Sequence, residues 1–118
     1  MAVFKDKNDK KIDKTAIISQ GVKINGDLDL KAKLHVEGEI EGKIDSITEI
    51  SIGKDGKIKG ELKAKKLIIN GKFEGVAECD EIEILNGGEL KGNITIKNFI
   101  IESGGIFIGT SALKTTQN

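Results

Sequence analysis

The chain has 118 residues, and its 19 basic residues, all lysine, are balanced by 19 acidic ones, so the formal net charge is zero. Balanced charge and 3% aromatic residues argue against a nucleic-acid-binding surface, which needs a basic patch and stacking platforms. The length predicts one domain, no apolar run approaches the roughly 18 residues of a membrane span, and the start lacks the apolar core of a signal peptide. The single cysteine, Cys79, excludes an internal disulfide and fits a reducing cytoplasm.

Isoleucine dominates the apolar residues, with twenty Ile against eight Leu and four Val. A branched β-carbon suits the pleated surface of a strand. The 15 glycines, without any proline, supply turns without rigid breaks. This composition predicts an all-β protein built from many short strands.

Residues 1–14 form a charged segment with few apolar residues. Such a composition cannot bury enough apolar surface to fold, so we predict a disordered N-terminal tail. Its first residues combine an apolar tip with a basic neighbour, and Met1, Val3, Phe4 and Lys5 are therefore candidates for binding the membrane surface. Two or three inserted side chains give only a weak anchor, which many copies in a filament would strengthen. The alternative is a solvated tail.

From residue 22 onward the sequence repeats with a unit of about 17 residues. Each copy contains the pattern Gly-x-apolar-x-Gly, as in Gly56–Gly60, although the first copy lacks its first glycine. The copies start at residues 22, 38, 56, 71, 88 and 105. Three columns of apolar residues follow this spacing, and only Ser111 interrupts them. Four residues before each start lie Ile18, Leu34, Ile52, Leu67, Ile84 and Ile101, and two residues after it lie Ile24, Ile40, Ile58, Phe73, Leu90 and Phe107. Six residues after each start lie Leu28, Ile44, Leu62, Ala77, Ile94 and Ser111.

Polar and apolar residues alternate with period two between these columns, which is typical of half-buried strands. A unit of this length with three short strands cannot bury its apolar face alone, but stacked units form a solenoid with apolar columns facing inward. We therefore predict a single-domain β-solenoid of six coils, ordered from 15 to 113, and a short C-terminal tail at 114–118. An outer column alternates in sign, which favours this register because opposite charges stabilise neighbouring coils: Glu41, Lys59, Glu74 and Lys91.

The last copy of the repeat departs from this pattern. Ile106 and Ile108 occupy columns that are charged or polar in every earlier copy, Phe107 is expected to point inward, and Ile100 faces outward. An end coil with apolar columns and unpaired backbone groups can join another copy, although fraying or covering by a terminal tail is the alternative. The predicted interface has a C-terminal part and an N-terminal part: Phe99, Ile100, Ile101, Ile106, Phe107 and Ile108; Ile17, Ile18, Val22, Ile24 and Leu28.

The repeat region, about 22 to 110, resembles the bactofilins, bacterial cytoskeletal proteins, and in particular their cell-shape-determining type. The likeness rests on the segments Gly56–Leu62, Leu67–Gly75 and Leu34–Gly42 and on the last copy of the repeat. It implies a right-handed, three-sided β-helix that assembles end to end into non-polar filaments. In the family an apolar residue of the last coil supports polymerisation, and Phe107 matches that position.

The resemblance also implies a structural scaffold rather than an enzyme, with no cofactor or metal. Family members often bind the inner face of the cytoplasmic membrane and position peptidoglycan-remodelling enzymes or their membrane adaptors, so these and further copies of the chain are the expected partners. No nucleic acid is expected to bind. The chain contains no Walker sequence, so polymerisation is expected to need no nucleotide.

Two other functions compete with the scaffold. A β-helix acyltransferase would use the one histidine, His35, which is expected to point outward, but those enzymes repeat in rigid hexapeptides. A non-polymerising adaptor would use the side faces, where Ile68 and Leu85 form a candidate partner strip or a folded corner. Cys79 falls in an inward column with Leu30, Ala64 and Ile96 and is expected to be a core residue.

Overall fold

The computed structural model describes residues 14–114, and in that range it contains ten β-strands and no helix. The strands are β1 (Thr15–Ile18), β2 (Lys23–Leu30), β3 (Lys33–Val36), β4 (Glu39–Ser46), β5 (Glu49–Ile52), β6 (Lys57–Ile69), β7 (Lys72–Ile84), β8 (Glu89–Ile96), β9 (Asn98–Ile101) and β10 (Ile106–Leu113). All their pairings are parallel, and each strand pairs with the strand one circuit further along the chain. This confirms the prediction of an all-β solenoid of about six coils.

Each coil has three faces separated by corners. In the middle of the molecule, 57–59 form face A, Gly60 is the corner, 61–64 form face B, and 66–69 form face C after a one-residue corner at Lys65. Every coil begins with its face C, so the first coil covers 15–30 and the last covers 98–113. The described chain therefore completes whole circuits.

The ladder aligns one glycine of every coil at the corner between faces A and B: Gly26, Gly42, Gly60, Gly75, Gly92 and Gly109. Gly60 has a φ of +131°, which side chains rarely adopt, and a Cβ there would collide with the carbonyl oxygen of Gly42. Only glycine therefore lets successive backbones approach within ladder distance at this corner.

The assignment of Leu34 and Leu67 to the column of Ile18 is wrong by two residues. In the ladder that column contains Ile18, Val36, Ile52, Ile69, Ile84 and Ile101. The corner between faces C and A has two residues in the second and fourth coils, at 37–38 and 70–71, but four in the others. The sequence-based column was counted four residues back from the start of each copy. Where the corner between faces C and A has only two residues, this count falls two residues too early on face C. Both leucines still face inward, because side chains alternate along a strand.

The core is a stack of apolar columns enclosed by the three faces. Its large, fully buried members are mostly isoleucine and leucine, with Phe73 at the centre of face A in the fourth coil. Full burial of one such side chain stabilises the fold by about 1.5–3 kcal/mol. The predicted outer column of alternating charge is also confirmed, since Glu41 pairs with Lys59, Lys59 with Glu74, and Glu74 with Lys91.

Replacing Gly60 by Ala should destabilise the fold strongly, because the added Cβ meets backbone and the positive φ becomes strained. We expect a loss of about 2–4 kcal/mol in the free energy of unfolding, measured with denaturant. Gly87→Ala is the matched control, since Gly87 has a φ of +90° but nothing within 4 Å of the added carbon. The control should lose only about 1 kcal/mol. Equal losses would contradict the steric role of the glycine column.

Candidate functional site

The C-terminal end of the solenoid exposes its own core. Within residues 14–114, β9 pairs only with β7 and β10 only with β8, so the outer backbone edge of the last coil has no partner. Phe99 and Phe107 meet edge to face with their ring centroids 5.1 Å apart, and both are only half-buried. Ile101, whose column is fully buried in the middle coils, is 45% exposed here. The last coil thus presents an unfinished apolar surface.

Three isoleucines of the last coil point outward from the solenoid, and we call them the collar: Ile100, Ile106 and Ile108. They are 46%, 49% and 55% exposed. The ladder places Ile106 next to Glu89 and Ile108 next to Lys91, so apolar side chains end columns that are charged in the preceding coil. Ile100 likewise follows Glu83. Residues 98–113 contain one ionisable side chain, Glu102, which makes this the coil with the least charge.

The N-terminal end is also open but differs in chemistry. Ile18, Ile24 and Leu28 pack against the core and remain half-buried, because no described strand covers β1 and β2 from outside. Ile17 and Val22, two further residues of the predicted interface, are exposed. The outward positions of this coil include three charged and exposed residues, Lys23, Asp27 and Asp29. Both ends are therefore largely apolar inside, but only at the C-terminal end are the outward positions of all three faces uncharged, with Glu102 at a corner.

The sequence-based interface omitted several end residues that the structure exposes. Leu113 is the most exposed of them, at 74%, and pairs with Ile96 in the inward column of Cys79. The repeat spacing that placed Ile96 in that column, eight residues after a copy starts, also leads to Leu113. At the opposite end, Ala16 and Leu30 are inward and half-buried, and the same spacing identifies Leu30.

An ion pair fixes the chain as it leaves the last coil. The Lys114 Nζ lies 2.8 Å from Oδ1 of Asp80, which is two coils away at the corner between faces B and C. This hydrogen bond lowers the pKa of Asp80 and raises the pKa of Lys114. The Lys114 amide also donates to the Ile96 carbonyl, continuing the ladder past β10. The ion pair thus ties Lys114, the last described residue, to the side of the solenoid.

His35 lies on the outward side of face C, as its neighbours predict. Its Nε2 is 2.8 Å from Oε2 of Glu37, and its Nδ1 is 2.7 Å from Oγ of Ser51 in the next coil. In the neutral imidazole tautomer protonated at Nε2, Nε2 donates a hydrogen bond to the Glu37 carboxylate and Nδ1 accepts one from the Ser51 hydroxyl. The amide of Glu37 donates to the Ile18 carbonyl in the preceding coil. The geometry connects the second and third coils through side chains.

Cys79 is fully buried in the column with Ala64, on face B. Burial raises the pKa of its thiol to about 12, and a backbone hydrogen bond involving Ala64 opposes this only in part. A thiol in this state has almost no thiolate at neutral pH and cannot act as a nucleophile. The structure therefore places Cys79 in the core.

The candidate partner strip is not a ladder pair. Ile68 on face C pairs with Glu83, whereas Leu85 follows β7 at the corner and donates its amide to the Ile69 carbonyl. Both side chains are half-buried. The four residues of the candidate membrane tip, Met1 to Lys5 without Ala2, lie outside the described residues. In the part of the chain that the structure describes, no helix has the length and apolarity to cross a bilayer.

The molecule is a β-solenoid. Its coils are joined by parallel ladders, and the end coils of the described chain have unpaired backbone edges. A family model described as "Bactofilin: Polymer-forming cytoskeletal" matches residues 16–112. The chain belongs to the bactofilin family. A solid-state NMR structure of the cytoskeletal bactofilin BacA has the same fold, with a TM-score of 0.78 and 20% identity over 86% of this chain and 98% of that one. Among curated proteins no sequence matches the chain significantly.

The buried thiol leads to a test in solution. In the folded protein Cys79 should not react with an aromatic disulfide reagent at about pH 8, because burial keeps it protonated and inaccessible. After unfolding in denaturant it should react within minutes as an ordinary thiol. Absorbance of the released thiolate measures both rates. Fast reaction of the folded chain would show that face B opens near Cys79.

Proposed function

We propose that this chain is a structural scaffold that assembles end to end into filaments without nucleotide. The observation that carries the proposal is the last coil, whose collar and whose inward residues other than Ser111 are apolar and at least partly exposed. A second coil placed against this end continues the backbone ladder and the apolar columns together. Membership of a polymer-forming family supports the same role.

The energies favour reversible assembly. Covering a half-exposed isoleucine stabilises a junction by about 1 kcal/mol, half of the value for full burial. The exposed apolar residues at one end therefore contribute several kcal/mol, to which the unpaired edge of β9 and β10 adds backbone hydrogen bonds. Association costs about 4–15 kcal/mol of lost freedom. Each molecule inside a filament needs two junctions, so we expect filaments to grow only when both ends are intact.

We further propose that the filament helps to determine bacterial cell shape by positioning cell-wall-modifying proteins at the inner face of the cytoplasmic membrane. The side faces support this role, since their outer columns are charged and exposed and remain accessible after the ends are joined. Peptidoglycan-remodelling enzymes or their adaptors would bind these faces or the terminal segments. The filament would thereby turn a small domain into an extended array of identical binding sites.

Replacing Phe107 by Arg should abolish filaments while the remaining coils stay folded. The substitution places a charge in the inward column of the end coil, where a junction would have to desolvate it at a cost of several kcal/mol. Negative-stain electron microscopy without nucleotide should show filaments of the parent and discrete particles of the variant. Circular dichroism checks that the variant keeps its strand content.

The matched control is Val76→Arg, which adds the same charge at a residue on face B that is 50% exposed and distant from both ends. The control should form filaments like the parent. Filaments of the Phe107 variant would contradict the end-coil model. Discrete particles of the parent would favour the adaptor or the acyltransferase, and His35 would then be tested with acyl donors.

The membrane contact is tested by replacing both Val3 and Phe4 with Asp. In a flotation gradient, filaments of the parent should rise with vesicles that contain anionic lipid, because many weak tips act together and each nearby lysine contributes about 1 kcal/mol. The double variant should polymerise normally but stay in the bottom fraction of the gradient. Equal vesicle binding by both proteins would show that Val3 and Phe4 are not the anchor.

A further inference from the structure

The charges of the described chain are distributed unevenly over the three edges of the solenoid. The corner between faces A and B consists of glycines. The corner between faces C and A holds one lysine, Lys54, and three acidic residues: Glu37, Asp55 and Glu102. The corner between faces B and C holds one acidic residue, Asp80, and five lysines. We call this corner the basic edge, and its lysines are Lys14, Lys31, Lys65, Lys97 and Lys114.

We infer that the basic edge is the side of the solenoid that lies against an anionic membrane surface, with Ile47 inserted among the lipid headgroups. The inference rests on the proposed membrane contact and adds to it the part of the solenoid that touches the lipid. Residues 1–13, which include the candidate membrane tip, join the solenoid at Lys14 on this same edge. The tip is therefore tethered to the edge that we assign to the membrane.

The positive charge of this edge exceeds what its one carboxylate neutralises. The ladder places Lys65 beside Asp80, and the Lys97 amide donates to the Asp80 carbonyl from the next coil, at a spacing of about 4.8 Å between coils. The hydrogen bond from Lys114 lowers the pKa of Asp80, and the charges of Lys97 and Lys65 lower it further. Three ammonium groups thus surround one carboxylate. Four of the five lysines of the edge are exposed.

An extra residue at one corner presents Ile47 on the basic edge. The corner after the second coil has two residues, Ile47 and Thr48, whereas the next three corners on this edge have one. The buried Ser46 holds the bulge, since its Oγ accepts the Thr48 amide and lies 3.3 Å from the Thr48 hydroxyl. Ile47 is 66% exposed, more than any other large apolar residue between residues 31 and 97. An apolar side chain among lysines is the combination by which interfacial segments bind anionic lipid.

The flanks of the basic edge favour a flat partner over one that wraps around it. The adjoining outward column of face B holds Lys63 and three acidic residues: Asp29, Asp45 and Glu78. The adjoining column of face C is neutral, with two lysines and two glutamates: Lys33, Glu49, Lys66 and Glu81. A plane touches a convex corner along a line and stands away from both flanks. An acidic protein segment that followed the surface would instead meet the carboxylates of face B.

The experiment uses the full chain in a flotation gradient with phosphatidylcholine vesicles that contain about 30% phosphatidylglycerol. The edge variant carries Lys31→Gln, Lys65→Gln and Lys97→Gln. Each lysine close to such a surface strengthens binding by about fivefold. We therefore expect the partition coefficient of the edge variant to be at least about tenfold below that of the parent.

The matched control carries Lys57→Gln, Lys59→Gln and Lys72→Gln, which remove three exposed lysines of face A. Its net charge equals that of the edge variant, so the two proteins differ only in where the charge is lost. The control should stay within about twofold of the parent. With vesicles of phosphatidylcholine alone, the parent and both variants should behave alike.

A fluorescent label tests the orientation without the triple variants. Ile47→Cys and Val76→Cys each add one thiol at an exposed position, whereas Cys79 is buried and does not react in the folded chain. An environment-sensitive dye at residue 47 should shift its emission to the blue on anionic vesicles and be quenched by brominated lipid. The same dye at residue 76, on face B, should show neither change.

Two results would overturn the inference: an edge variant that floats as well as the parent, or a dye at residue 76 that responds to lipid as strongly as one at residue 47. The first result would leave the edge to another anionic partner, such as an acidic protein segment, and the contact through Val3 and Phe4 would stand. Parent filaments that stay below the vesicles would contradict the membrane contact and the inference together. A parent without filaments in the electron microscope would contradict the proposed scaffold.

Discussion

The parallel backbone ladder between coils is the constraint on which the rest of the structure depends. Each coil must return to the same lateral position to pair with the one before it, so residues at a given corner stack directly on each other. At the corner between faces A and B this leaves no room for a Cβ, as at Gly60 above Gly42. The glycine column, the apolar columns and the alternating charges of the outer columns all follow from this one repeat of the backbone.

The same ladder explains why the ends matter for function. Because every coil has the same backbone path, the ladder can be continued at either end of the solenoid. An end coil therefore differs from an interior coil in its side chains and in its unpaired backbone edge. In most coils the outer columns are charged, which favours solvent. In the last coil those columns change to isoleucine, asparagine, threonine and alanine. Residues such as Ile106 and Ile108 add nothing to the enclosed core of one molecule, which supports the proposed contact with another.

Much of this architecture could be read from the sequence, because period-two alternation fixes which side chains face inward and the invariant glycine fixes the register of faces A and B. Face C was harder, since the corner before it and the corner after it vary in length. Leu34 and Leu67 were therefore assigned to the wrong column while their inward direction was correct. The Lys114–Asp80 ion pair spans two coils, and no local sequence pattern predicts a contact between residues so far apart in the chain.

The whole number of circuits has a geometrical consequence. The described chain enters the solenoid just before face C, at Lys14, and leaves it at Lys114, at the corner between faces B and C, so both connections lie on one edge of a three-sided prism. The three sides of the prism are therefore not equivalent. Faces B and C meet at the edge that carries both connections, at residues 14 and 114, and face A lies opposite that edge and carries neither.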